Sequence, residues 1–455
     1  MRYRNVLIVA AVLLAAAPAD AVTRVARLRR LVVLGDSLLA GFGSGGFVGT
    51  GHPGQQDNAA SMVARRAHVR LPLPLMSQPG VPPQLVIVDD NRNGRLDRGE
   101  VRRRSSDIGF RQDPDQGVRN LAVPGEDSGS ILEKISPTDI AGELASGNVN
   151  GRDLLKFLIL GLPLRDEPVS QLSRARELHP TFVIVWIGNN DLLDMATRTD
   201  PSAATVSAQE FGTRYRMLLA GLADTGAGMA VATLPDPTGI AALRHAAGEV
   251  TACRTPSGAT QPVAADDLLP LALDPGLLPV PPCRRVLDAS KRAAIASTVG
   301  AFNGEITAAV ADTEQTRGVQ IAIVDLAARF ADLRNGVDVD GNGSIDLTAG
   351  YLGGLFSLDG IHPTRTANAL IANAFIDAID ARFGEQIPHV DVARIAARDP
   401  LAHSRFRPTG EAPFGLIRDD QGSDVESFFQ TIFKRVESGA KDLGDRLKHI
   451  LDAFF

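Results

Sequence analysis

The sequence predicts an α/β fold, a three-layer α/β/α sandwich around a parallel sheet. Three observations predict it. Five short apolar runs rich in β-branched residues are bounded by turn residues, as strands buried on both faces require. Helical segments lie between them, Ala208–Ala223 and 290–311 being the clearest. Short polar motifs stand at the ends of three runs, where ligands bind in such sheets.

Taken in order, the chain opens on Met1-Arg2-Tyr3-Arg4-Asn5, a positive segment, followed by the apolar run 6–17. That run is too short to span a bilayer comfortably, and Ala19-Asp20-Ala21 follows as a small-x-small cleavage site. Residues 1–21 are therefore expected to be a signal peptide, and the protein to be exported, to a periplasm or beyond. Leu31-Val32-Val33-Leu34 reads as the first strand and ends at Gly35-Asp36-Ser37-Leu38. Leu121-Ala122-Val123 is the second and ends at Pro124-Gly125. Phe182 to Ile187 is the third and ends at Gly188-Asn189-Asn190-Asp191. The fourth runs from Met229 to Leu234, and the fifth is Ile321-Ala322-Ile323-Val324. Asp359-Gly360-Ile361-His362-Pro363 then precedes a helix over 366–383, whose Ile371, Phe375 and Ile379 share one face.

Three segments exceed a minimal sheet-and-helix pattern. The first is an insertion over about 48–117. It holds the twelve-residue stretch from Asp89 to Glu100, which fits every position of an EF-hand-type calcium loop. Asp89, Asn91, Asn93 and Asp97 supply oxygens, Arg95 a backbone carbonyl, Gly94 the sharp turn and Glu100 the bidentate closure. A second loop repeats the pattern later, with Asp338, Asp340, Asn342, Ser344 and Asp346, but has Ala349 at the twelfth position. Structural calcium is the expectation, with Asx-rich turns as the alternative. The second segment is an insertion over about 235–286, expected as a lid or acyl-binding flap near the site, or as a surface excursion. It contains both cysteines of the chain, Cys253 and Cys283. In an oxidising compartment they are expected to pair, and no neighbouring ligand suggests a metal instead. The third is the tail, with a linker over 397–422 and an amphipathic helix over 423–455. Val425, Phe428, Phe429, Ile432, Phe433 and Val436 begin its apolar stripe. Docking on its own domain, membrane-surface association and self-association are the roles open to it.

Together the motifs hold a complete set of parts for acyl transfer by a serine nucleophile. A serine hydroxyl needs a base, the base needs a carboxylate to fix its tautomer, and the tetrahedral intermediate needs donors for its negative oxygen. The four blocks, with Ser37, Gly125, Asn190 and Asp359/His362 in that order, resemble the SGNH or GDSL hydrolase family over about residues 29–385. The resemblance implies a sheet of five parallel strands in flavodoxin-like order. It implies Ser37 as nucleophile, His362 as base and Asp359 as its partner. It also implies an oxyanion hole from the Ser37 N–H, the Gly125 N–H and the Asn190 amide. No cofactor is expected for the chemistry.

The formal charge of −6 argues against a nucleic-acid partner, and 44 % apolar residues suffice for a sizeable core. The expected function is an exported serine esterase or lipase acting on lipid or other acyl esters. A carbohydrate O-deacetylase of the same fold is the alternative enzyme. A calcium-dependent binding or adhesion protein on a hydrolase scaffold is the alternative of another class.

Overall fold

In the computed structural model, the described residues are 25–406, apart from 95, 147–149, 164–166, 198–205, 274, 277 and 405. The expected signal peptide and the helix over 423–455 therefore lie outside the described residues, as does most of the linker.

The centre of the molecule follows from its most apolar runs. Strand β1 (Leu31–Gly35) is buried along its whole length and leads into α1 (Ser37–Ala40). The first insertion then contributes α2 (Ala59–Arg66) and a two-stranded hairpin, β2 (Leu85–Ile87) with β3 (Val101–Arg103). Helices α3 (Pro137–Ser146), α4 (Gly151–Leu160) and α5 (Gln171–Glu177) precede β4 (Phe182–Trp186). Next come α6 (Asn189–Thr197), α7 (Ala208–Ala223) and β5 (Gly228–Ala232).

The second insertion forms two antiparallel pairs. One joins β6 (Leu243–His245) to β9 (Leu268–Pro270), the other β7 (Ala252–Arg254) to β8 (Thr260–Pro262). The chain returns through α8 (Ala289–Arg317), β10 (Ile321–Val324) and α9 (Leu326–Leu333). It closes with α10 (Arg365–Phe383) and α11 (Val392–Ala396).

Among the described residues the main sheet has four parallel strands in the order β1-β4-β5-β10. The expected second strand, Leu121-Ala122-Val123, is reduced to an extended segment beside β1. It keeps the ladder bonds Val33 N to Arg119 O, Leu121 N to Val33 O and Val123 N to Gly35 O, with one parallel bridge at Asn120. On its outer side the Ala122 N–H turns to the Asn120 side chain, which satisfies an edge group locally. Its position beside β1 is still that of the second strand in a flavodoxin-like order.

Helices cover the sheet in two groups: α5 and α6 join α7 and α8, while α2, α9 and α11 join α10. Caps fix their starts. Ser207 accepts from Glu210 N, Asp288 from Lys291 N and Thr364 from Ala367 N. No helix of the described residues is long and apolar enough to cross a membrane.

Candidate active site

The site forms at the carboxyl edge of the sheet, where β1 and β4 end side by side. Gly35 closes β1, and the Gln171 side chain brackets it, accepting from its N–H at 2.9 Å and donating to its carbonyl at 2.8 Å. A side chain there would meet the Trp186 carbonyl of β4 at 2.4 Å. The strands can therefore lie this close only with glycine. Asp36 caps α1, accepting from Leu38 N at 3.0 Å and from Asn189 Nδ2 at 2.9 Å. Burial pushes its carboxyl up to about 6 against those hydrogen bonds. Ser37 is thus held at the first turn of α1.

The structure brings Ser37, His362 and Asp359 together across 325 residues of sequence. His362 Nε2 lies 2.8 Å from Ser37 Oγ, and His362 Nδ1 lies 2.9 Å from Asp359 Oδ2. The Phe42 ring packs on the imidazole, with centroids 4.7 Å apart. Asp359 sits in a tight turn where its Oδ1 accepts from the N–H groups of Ile361 and His362, each at 2.8 Å. Its Oδ2 also accepts from the Gly45 N–H. Burial alone would raise this carboxyl. The facing His362 and the hydrogen bonds outweigh that and hold it down at about 2.

The expected oxyanion donors stand on the other side. Gly125 is exposed with φ +84°, a conformation that favours glycine. Asn190 lies in the first turn of α6, and its Nδ2 donates to the Glu126 carbonyl at 2.7 Å. That bond uses one of its two amide hydrogens. Next to it, buried Asp191 accepts from Ser128 N at 2.8 Å and Ser128 Oγ at 2.7 Å. Burial, opposed by these bonds, pushes its carboxyl up to about 6.

An open cleft lies at Ser37. Leu38, Leu193, Ile240, Phe330, Leu333 and Phe356 give it an apolar lining. Pro235 to Ile240, the root of the second insertion, reaches it; Leu243 and Leu268 join the main core, and Val250, Leu269 and Val286 form a small core of their own. Cys253 and Cys283 are disulfide-bonded within that core.

Neither calcium-like loop supplies a residue of the relay, and Ala349, the twelfth position of the second, lines the cleft. In the first, the Asn91 and Asn93 amides both donate to Asp97 Oδ2, and Glu100 accepts from the N–H groups of Asp90 and Asp97. The Asp89 carboxylate accepts from Asn93 N and Gly94 N, and Arg95 lies outside the described residues. In the second, ligand oxygens of Asp338, Asp340 and Asp346 lie within 4.8 Å of one another. The gathered carboxylates are thus in the loop that lacks the twelfth-position ligand. Oxygen donors of this kind suit a hard divalent cation.

Several residues of the site escaped the sequence motifs. Gly45, Glu126, Lys156 and Ser128 hold the motif residues from behind. Lys156 alone carried a visible signal, as one cation in the apolar run Leu154-Leu155-Lys156-Phe157-Leu158-Ile159-Leu160.

A parallel α/β sheet with a serine, a histidine and an aspartate linked at its carboxyl edge defines a class, the ester hydrolases of α/β architecture. The sequence matches the model of the GDSL-like Lipase/Acylhydrolase family over residues 31–375, and the chain belongs to that family. No curated protein matches the sequence. Among solved structures it is similar to LAE5, titled an alpha/beta hydrolase enzyme from the metagenome of Lake Arreo, Spain. The identity there is 14 %, with a TM-score of 0.32, covering 76 % of this chain and 93 % of that one.

Proposed function

We propose that the protein is an exported serine esterase or lipase that cleaves carboxylic esters through an acyl-enzyme. The observation that carries this reading is the continuous relay from Ser37 Oγ through His362 to Asp359, at 2.8 Å and 2.9 Å. His362 Nε2 takes the Ser37 proton as Oγ attacks the carbonyl carbon, then returns it to the departing alkoxide. Water next attacks the acyl-enzyme with His362 again as base. Asp359 fixes the tautomer and stabilises the imidazolium. The Ser37 N–H, the Gly125 N–H and the second Asn190 amide hydrogen receive the oxyanion, each such donor contributing ~3 kcal/mol.

The apolar cleft favours an acyl chain over an acetylated sugar, and so favours the esterase or lipase over the O-deacetylase. The Cys253–Cys283 disulfide supports export. The calcium-like loops are proposed as structural elements separate from catalysis.

Ser37→Ala tests the mechanism. Hydrolysis of nitrophenyl esters should be lost while thermal unfolding stays unchanged, since a small side chain at a strand end leaves no core cavity. Wild-type rates should rise from acetate to longer acyl chains. Full turnover by Ser37→Ala overturns the serine mechanism. A sharp preference for acetyl groups returns the O-deacetylase.

A further inference from the structure

Behind the candidate oxyanion donors lies an ion pair that the relay does not use. Lys156 on α4 is 2 % exposed and Glu126 is fully buried, with Nζ 3.0 Å from Glu126 Oε1. Lys156 Nζ also donates to the Ser130 carbonyl at 2.6 Å, and Ser130 Oγ donates to Glu126 Oε2 at 3.1 Å. The turn is tied again where the Asp127 N–H donates to Ser130 Oγ and the Ser130 N–H to Asp127 Oδ1. Glu126 directly follows Gly125, and its carbonyl takes the hydrogen bond that sets the plane of the Asn190 amide. Two donors supplied by different elements therefore meet on one peptide segment, and that segment is anchored by the pair.

Buried pairs seldom add net stability, because desolvation consumes most of the Coulomb gain. An apolar pair of similar volume often serves as well. Their attested use is to fix one arrangement among several. We infer that Lys156 and Glu126 are positioning residues for the oxyanion hole, locking the 125–130 turn so that the Gly125 N–H and the Asn190 amide converge on one point. The inference rests on the assignment of those two donors above. A misplacement of about 1 Å at such a donor can cost on the order of a hundredfold in rate. Neither side chain lines the cleft.

The test uses the full chain and a soluble short-chain nitrophenyl ester. Lys156→Met keeps an unbranched side chain one atom shorter and removes its charge. It should lower kcat by about ten- to a hundredfold with KM little changed, because the donors act on the transition state. Ser130→Ala, a milder variant that keeps the ion pair, should fold even if Lys156→Met does not, and should lower kcat in the same direction. Ile306→Ala, a cavity in α8, controls for loss of stability alone and should leave kcat unchanged.

The deciding measurement is a double-mutant cycle with Asn190→Ala. If Lys156 acts through both donors, Lys156→Met should cost clearly less in the Asn190→Ala background, where only the Gly125 N–H is left to misplace, than in the wild type. Fully additive effects, or wild-type kcat in both Lys156→Met and Ser130→Ala beside a crippled Asn190→Ala, overturn the positioning role and leave the oxyanion assignment standing. Full turnover by Asn190→Ala overturns that assignment, and the positioning role with it.

Discussion

Carboxyls around the cleft are tuned in opposite directions. Asp359 collects backbone N–H donors and a facing imidazole, and is held down at about 2. Asp191 is buried, and its two Ser128 bonds do not offset desolvation, so it rises to about 6. A carboxyl raised in the native state holds its proton more tightly there than in the unfolded chain. Its protonated form therefore adds stability that is full below the unfolded value of 3.8 and is lost as pH rises through 6. Asp359 acts with the opposite sign, but only where pH falls below its unfolded value of 3.8 toward 2. Between pH 4 and 7 the unfolding free energy should carry a downward contribution of roughly 3 kcal/mol from Asp191, since one pKa unit is 1.36 kcal/mol. Denaturant melts across that range should show the slope flattened in Asp191→Asn. An unchanged slope would mean that Asp191 is ionised throughout.

The insertions are elements with separate allegiances. The second reaches the cleft at its root and sends Leu243 and Leu268 into the main core, while Cys253, Val250, Leu269 and Val286 pack around their own centre. Closing a loop over 30 residues contributes ~3.5 kcal/mol in the chain-entropy picture. Replacing both cysteines by serine should therefore open this segment to limited proteolysis, yet leave turnover of a small soluble ester intact. A parallel loss of turnover would show that the small core shapes the cleft. The loop carrying Asp338, Asp340 and Asp346 gathers three carboxylates at the surface, an arrangement that calcium would relieve of mutual repulsion. Added calcium should raise the melting temperature by mass action, and Asp340→Ala should blunt the response. A flat calorimetric titration would leave both loops as Asx turns.

At the scale of the whole molecule, the strands were legible because burial on both faces writes a continuous apolar run. Phe182 to Trp186 shows this most plainly. The 119–123 segment was less so, since three residues beside a proline and a glycine cannot extend a full ladder. The relay residues stood out because each is a polar group at the end of an apolar run or in a tight turn. Their supports did not. Gly45 reaches Asp359 across 314 residues, and Glu126 acts through its backbone carbonyl, so neither leaves a local pattern.

The distance in sequence between Ser37 and His362 has a consequence in time. Synthesis delivers the hydroxyl almost at the outset, and its base only after α8, β10 and α9 have been made. The proposed relay is complete only when the turn before α10 closes onto the end of β1. Regained turnover after dilution from denaturant will therefore clock the longest-range closure in the chain, the kind of contact that topology makes slow.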